Sequence, residues 1–302
     1  NHTFAIMKDR HAYLILAHKN PWQLRMLLDA LDYELNDIYL HLDRRASFGY
    51  DALQGVCKRS RVHFINPRIR IHWGGVSIVR AEMALIEEAV REPHSYYHLL
   101  SGMDLPIKSQ EAIHSFFETA GGKEFINLWP MEEHTLKRVR YFTLFPEGSR
   151  FFLTNWLNHT FKALLSLLGI KRNTDVTFAK GSQWFSITDD CARYITSRRE
   201  WVRKVFRHST MCDEIFIPTI LAQSPFMQRL YNSETAENTT INNSNLRLID
   251  WNRGPSIRHP WVFTIDDIDM LKTAPQLWAR KFDENTDREV IVEVCKMTQN
   301  RL

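Results

Sequence analysis

The run Ala12-Tyr13-Leu14-Ile15-Leu16-Ala17 is apolar without alternation, so the strand it forms must be covered on both faces. Strands of that kind belong to parallel sheets with helices packed on either side. The helix to cover this one follows at once: Asn20 stands at its cap, Pro21 at its first position, and Leu24, Leu27, Leu28 and Leu31 share one stripe. Asp37 to Asp43 reads as a second strand and Val62 to Asn66 as a third, so the opening is a right-handed parallel crossover.

The alternation continues. After Trp73-Gly74-Gly75, Ser77 is a cap candidate for a helix carrying Val79, Met83, Ile86 and Val90 on one face. Ser95 to Ser101 reads as a strand ending at Gly102-Met103-Asp104. Ser109 starts a helix through Phe117, and Lys123 to Trp129 is strand-like. The expected fold class is therefore α/β, a Rossmann-type open sheet, mostly parallel and flanked by helices, of the kind that binds nucleotides. At 302 residues the chain has room for one large domain, and no composition break divides it.

Apolar content of 44% and charged content of 25% are those of an ordinary soluble globular protein and indicate neither disorder nor a membrane class. The net charge of +4 suits a phosphorylated ligand or an anionic surface, but cations and carboxylates are interspersed, so no nucleic-acid partner is expected. Four scattered cysteines with no CxxC pair point to a reduced compartment and a cytoplasmic protein, with a peripheral place at the inner face of the membrane as the alternative. Met7 reads as a natural start, and the sequons at Asn158, Asn238 and Asn242 as chance. The polar stretch Asn232 to Asn245 reads as a loop. Residues 151–172 contain the most apolar segment, yet Asn155, Asn158, His159 and Lys162 interrupt it, so it does not span a bilayer. We expect an amphipathic helix there that packs into the core, with docking on a membrane surface as the alternative.

Several constellations can carry chemistry. Trp278-Ala279-Arg280-Lys281-Phe282-Asp283 sets two cations between bulky apolar side chains, with Arg258 upstream. Alone they read as a solvated surface pair; beside a pocket wall they suit a phosphate. Ligands of open α/β sheets bind beyond the carboxyl ends of the strands, where Asp43 and Asp104 fall, although Asp is also a common turn former there. Lys180-Gly181-Ser182-Gln183-Trp184-Phe185 runs from a turn into an aromatic strand, its Gly-Ser start allowing close approach to a ligand, and Thr188 caps the next helix. A helix beginning near Cys212 carries Glu214 in its first turn, where the helix dipole favours an acid and would keep a general base ionised. A strand from Leu246 to Asp250 delivers Trp251 to a turn, where it is either core or a stacking platform for a sugar. Asp267-Ile268-Asp269 is a literal DxD, but it sits at a helix start rather than a strand end, and His94 and His98 lack a third ligand and read as strand residues. No metal is expected.

In order and spacing, these segments resemble the core-2/I-branching β-1,6-N-acetylglucosaminyltransferases and their relatives the peptide O-xylosyltransferases. The match runs through Ile38 to Asp43, Trp73-Gly-Gly-Val-Ser77, Leu100 to Pro106, Gly181-Ser-Gln-Trp-Phe185, Asp213-Glu214, Asn245 to Arg253 and Ala279-Arg-Lys-Phe-Asp283. The resemblance implies a GT-A-like fold over residues 7–302, with a nucleotide-binding half (7–130) and a half for acceptor and pyrophosphate (131–302). It implies an inverting transferase that works without a metal or other cofactor, taking β-GlcNAc or β-xylose from a UDP-sugar to a hydroxyl of a glycan, lipid-linked or peptide acceptor, as in polysaccharide biosynthesis. Glu214 would be the catalytic base, and Arg258, Arg280 and Lys281 the counter-charges to the UDP pyrophosphate. Asp43 and Asp104 would line the nucleotide and donor pocket, and Trp251, Gln183 and Trp184 the acceptor site. One departure stands out: the xylosyltransferase branch has an acidic residue where this chain has Gln183. A glycoside hydrolase using Asp104 and Glu214, or a non-catalytic sugar-nucleotide-binding module, remain alternatives from the residues alone.

Overall fold

The structure is a computed structural model, and it describes residues 9–147, 151–231, 244–253 and 259–299. Met7, Arg258, Asn238, Asn242 and most of the polar 232–245 stretch lie outside the described residues. In chain order the elements are β1 (His11–Ala17), α1 (Pro21–Ala30), β2 (Asn36–Leu42), β3 (Arg61–Phe64), α2 (Ser77–Ala89), β4 (Tyr96–Ser101), β5 (Asp104–Pro106), α3 (Gln110–Thr119) and β6 (Phe125–Trp129). There follow α4 (Glu133–Arg140), α5 (Phe152–Leu167), β7 (Lys180–Thr188), α6 (Asp189–Ser197), α7 (Arg199–Phe206), α8 (Phe216–Ala222), β8 (Arg247–Ile249), α9 (Ile268–Thr273), β9 (Trp278–Arg280) and α10 (Arg288–Gln299).

Six strands form one sheet in the order β3-β2-β1-β4-β7-β6. The first four are mutually parallel, and β7 runs antiparallel to both β4 and β6. The sheet is thus a single mostly parallel α/β layer flanked by helices, consistent with a GT-A-like fold. The apolar run of β1 is explained by its two neighbours across the sheet faces. Leu14 and Leu16 enter a core with α2, α6, α7 and α8, whereas Tyr13 and Ile15 enter a second core with α1, α3 and α10. β6 is not the next parallel strand after β4; it reaches the far edge and pairs with β7, because a strand drawn from residues 180–188 is inserted between them.

Several cap assignments change in the folded chain. Ser109 does cap α3, accepting the Ala112 N–H, and the Thr188 hydroxyl caps α6 at Cys191. Asn20 occupies the cap position of α1 in the left-handed region without capping; its side-chain amide donates instead to Asp283 and Gln23, tying α1 to the segment after β9. Ser77 begins α2 but its hydroxyl accepts the His72 N–H and donates to Glu147, which closes the Trp73-Gly74-Gly75 turn. His94 precedes β4 rather than lying in it. Its Nε2 is 2.9 Å from the buried carboxylate of Asp37, which also takes hydrogen bonds from Arg10 and Arg61. Burial alone would raise that carboxyl, but these three donors hold it well below the usual carboxylate range.

A small second sheet, ordered β5-β9-β8, stands beyond the carboxyl end of β4. Its register sets Asp104 opposite Arg280, and Arg280 opposite Ile249. This sheet carries the cation pair to the edge where β1 and β4 end.

The largest departure concerns α5. Of its side chains only Asn158 and Leu165 are buried, so the expected core helix is instead a surface helix held by a narrow stripe. Among the described residues no helix is long and apolar enough to cross a membrane.

Candidate active site

A cleft of about 1380 Å³ opens at the carboxyl ends of β1, β4 and β6 and the start of antiparallel β7. That is where ligands of open α/β sheets bind. His18 and Lys19 reach it from the end of β1, Met103 from the end of β4, Asn127 and Trp129 from β6, and Ser182, Gln183 and Trp184 from β7. Asp213, Glu214, Arg247, Trp251, Arg280 and Lys281 complete that side. Of the residues proposed from sequence, Glu214, Arg280, Lys281, Trp251, Gln183 and Trp184 therefore share one cavity.

Two fully buried aromatics, Trp278 and Phe282, anchor the Arg280–Lys281 pair in the core. Arg280 lies over the Trp184 ring, 4.4 Å from guanidinium carbon to centroid, and its Nη1 is 2.7 Å from Asp104 Oδ1. Asp104 is fully buried and does not line the cleft; its other oxygen accepts the Ser101 N–H at 2.8 Å. Its role here is to hold Arg280. Lys281 makes no ion pair among the described residues. Burial first, then the neighbouring Arg280 and Lys19, push its ammonium below the usual lysine range, with Asp283 opposing. Lys19 itself is paired with Asp283 at 2.8 Å. Positive charge thus converges on this wall beyond what local carboxylates offset, which is the electrostatic condition for binding an anion.

Asp43 ends β2 as expected, but it is buried and engaged: it accepts the Arg45 N–H at 2.8 Å and pairs with the Arg45 guanidinium. It acts on the cleft through His18, whose imidazole burial and Lys19 pull down while Asp43 pulls it up. Asp43 and Asp104 therefore stand just behind the wall rather than on it.

Glu214 is half-buried on the turn before α8, two residues ahead of that helix rather than in its first turn. The N–H groups of Ile215 and Phe216 both bond the Cys212 carbonyl, and Pro218 then fits the first turn of α8, where no N–H is needed. The Gly181 N–H donates to the Glu214 carbonyl at 2.9 Å. A Cβ on Gly181 would meet the Asn127 carbonyl oxygen at 2.1 Å, so this glycine serves a close approach of β7 to β6 that pins Glu214, not an approach to ligand. Burial and the adjacent Asp213 raise the Glu214 carboxyl, with Lys180 and Arg138 opposing. The environment is thus not the ion-stabilising helix end expected from sequence; it tunes the carboxyl upward.

Trp251 is 47% exposed and meets the cleft. Asp250 explains its presentation: its carboxylate accepts the N–H groups of Asn252 and Arg253 and pairs with Arg253, folding the chain back after β8. Gln183 donates to the buried Glu82 at 2.7 Å. Burial and Asp213 push the Glu82 carboxyl well up, with the Gln183 hydrogen bond opposing. Arg258 lies outside the described residues.

Asp267 accepts from Arg253, Trp261 and the Thr264 N–H in a capping box, and Asp269 points to solvent. Neither lines the cleft, and among the described residues no group of three or more His, Cys, Asp or Glu side chains is arranged to hold a metal ion. The four cysteines are free thiols.

Sequence reasoning missed several cleft residues. Lys19 directly follows β1, so the carboxyl-end rule that picked Asp43 applied equally to it. Arg247 is buried beneath the cleft, donating to Ser186, Leu99 and Phe185 and lying over Trp278 at 4.6 Å. A buried arginine within an apolar strand has no sequence signature. Trp73, 52% exposed, faces the cavity beside Gly74, whose φ of 71° permits the turn. A further group comes from α4 and α5: His134, Lys137, Arg138, His159 and Lys162.

The chain is similar to "Xylosyltransferase 2" of Rattus norvegicus, 23% identical over 313 residues, covering 93% of this chain and 33% of that protein. "Xylosyltransferase" of Ciona intestinalis is 23% identical and "Xylosyltransferase 2" of Homo sapiens 22%, with the same shares covered. The chain spans about one third of the length of these relatives. The family model described as "Branch: Core-2/I-Branching enzyme" matches residues 11–272, which contain both sheets except β9 and, among the cleft residues, all but Arg280 and Lys281. On that match the chain belongs to the Core-2/I-branching enzyme family of glycosyltransferases.

Proposed function

We propose that this protein moves β-GlcNAc or β-xylose from a UDP-sugar to an acceptor hydroxyl in one inverting displacement, with side-chain cations and no metal balancing the departing diphosphate. Glu214 takes the hydroxyl proton and the acceptor oxygen attacks the anomeric carbon. As that C–O bond forms, the bond to the diphosphate breaks and its electron pair leaves with UDP. The observation that carries this reading is that one cleft holds the half-buried Glu214 carboxyl and the under-compensated Arg280–Lys281 wall. A glycoside hydrolase would need a second carboxylate across the cavity from Glu214; Asp104 is committed to Arg280 instead, and Asp213, the other carboxylate on the cavity among the described residues, is Glu214's neighbour in the chain. Trp251 and Trp184 supply apolar faces for sugars, while Gln183 is tied to Glu82. The acceptor is a glycan, a lipid-linked glycan or a peptide, and the reading includes peripheral contact with the cytoplasmic face of a membrane through residues 151–172, supported by the exposed apolar side chains there.

UDP release tests this. With UDP-GlcNAc, UDP-xylose, UDP-glucose and UDP-galactose offered to a panel of acceptors, turnover with one of the first two is expected to persist in EDTA. Turnover that appears only when manganese is restored would overturn the metal-free part, and no turnover or stabilisation by any of the four would overturn the reading itself.

A further inference from the structure

Helix α5 has three faces. At about 100° per residue, Leu157, Phe161 and Leu165 turn toward the body of the protein. Asn155, His159, Lys162 and Ser166 line the cleft. The remaining sector carries Phe152, Trp156 and Leu167, which are 87%, 54% and 85% exposed. A helix packed once on its own protein should be polar there. Eleven of the fifteen exposed large apolar side chains among the described residues fall between Phe142 and Ile170, so the apolar surface is gathered rather than scattered. The same segment contains no acidic residue from 151 to 172; His159 and Lys162 lie on its cleft side, and Lys171 is exposed just beyond its end. An apolar face free of acidic charge and bordered by these cations complements an anionic lipid surface better than a soluble partner.

The cleft side of α5 adds a second observation. Lys162 Nζ has one hydrogen bond, to Thr210 Oγ1 at 3.4 Å, and Arg138 has no hydrogen bond or ion pair among the described residues. Burial first, and then the nearby Arg138, push the Lys162 ammonium down to about 8; both side chains line the cleft. Arg138 also acts on Asp213 and Glu214, so this cationic group adjoins the base and belongs to the acceptor end of the cleft.

We propose that Arg138 and Lys162 form a second anion site, which takes the phosphate of a lipid-linked acceptor whose carrier lies against the outer face of α5 in an anionic membrane. The inference rests on the transferase reading and narrows its acceptor to a membrane-borne phosphate ester. It also explains why one helix is apolar outside and basic inside: the lipid tail and the phosphate it bears meet the two faces in turn.

Farnesyl diphosphate, inorganic diphosphate and farnesol serve as probes, titrated with UDP saturating the donor side. Farnesyl diphosphate is expected to bind more tightly than either fragment. Lys162→Gln should weaken it about tenfold, the loss of one charge-assisted hydrogen bond. The double variant Trp156→Ser/Leu167→Ser should weaken it similarly while leaving inorganic diphosphate and UDP affinity unchanged. Flotation with phosphatidylglycerol-containing vesicles, but not with pure phosphatidylcholine, should be lost in that double variant. Both sets of side chains lie at the surface or cleft, and unchanged thermal unfolding would show that the variants are folded. Farnesyl diphosphate binding no tighter than inorganic diphosphate, binding indifferent to both variants, or no flotation of the wild type would each overturn the proposal. If UDP itself does not bind, the transferase reading fails instead.

Discussion

Glu214→Gln should lower sugar transfer by about 10²–10⁴-fold, with UDP affinity retained. The substitution keeps the shape of the side chain and removes only its capacity to take a proton. Its neighbour Asp213 is the obvious substitute base, so Asp213→Asn is the needed control: it should cost far less in rate, because Asp213 acts on Glu214 through its charge rather than on the acceptor. Removing that charge also removes one cause of the raised Glu214 pKa, so the acid limb of the rate profile should move down in Asp213→Asn. The sign in the wild type follows from the same interaction. If Glu214 is the base proposed above, transfer requires its ionised form, and burial with Asp213 raises its pKa above the ordinary 4.5, so the rate should climb with pH through a midpoint above that value. In Glu214→Gln that limb should vanish. UDP release measured across pH in the three proteins reads all of this, and an unchanged profile in Glu214→Gln would remove Glu214 from the chemistry.

Lys281→Ala should lower turnover by about 10²–10³-fold, more than Arg280→Ala. The difference comes from compensation. Arg280 is bonded to Asp104 at 2.7 Å, so part of its charge is already balanced, whereas Lys281 has no paired carboxylate among the described residues. Its ammonium is held in a partly desolvated site next to Arg280 and Lys19, and charge appearing on a leaving diphosphate would relieve that repulsion. The loss should fall on kcat as well as on donor affinity, because the diphosphate carries more charge as it departs. Steady-state kinetics on the two variants provide the check.

Much of the frame was legible from short-range chemistry. The unalternating β1 run demanded two covered faces, and it has them; Ser109 and Thr188 announced helices through their caps. Motif order brought Glu214, Trp251, Gln183, Trp184, Arg280 and Lys281 into one cavity, although they come from four separate segments. What sequence did not reveal depends on long-range partners. Asn20 and Ser77 looked like caps, but Asp283 and Glu147, far along the chain, claim their side chains. Asp104 looked like a ligand contact until β9 delivered Arg280 opposite it. Residues 151–172 were expected to be core because apolar content normally means burial; only the fold reveals that nothing in the described chain covers Phe152, Trp156 and Leu167. The cleft-facing spacing of Asn155, His159, Lys162 and Ser166 was present in the sequence and readable, yet it gains meaning only once a cavity lies beside that face.

A structure of the protein with UDP, grown in chelator and again with manganese, tests most directly whether side-chain cations balance the diphosphate. Phosphoryl oxygens should lie about 2.7–2.9 Å from Lys281 Nζ and from the Arg280 guanidinium in both crystals, with the open end of the cleft leading to Glu214. A manganese ion bridging the phosphates, or a diphosphate seated away from Arg280 and Lys281, would contradict the account.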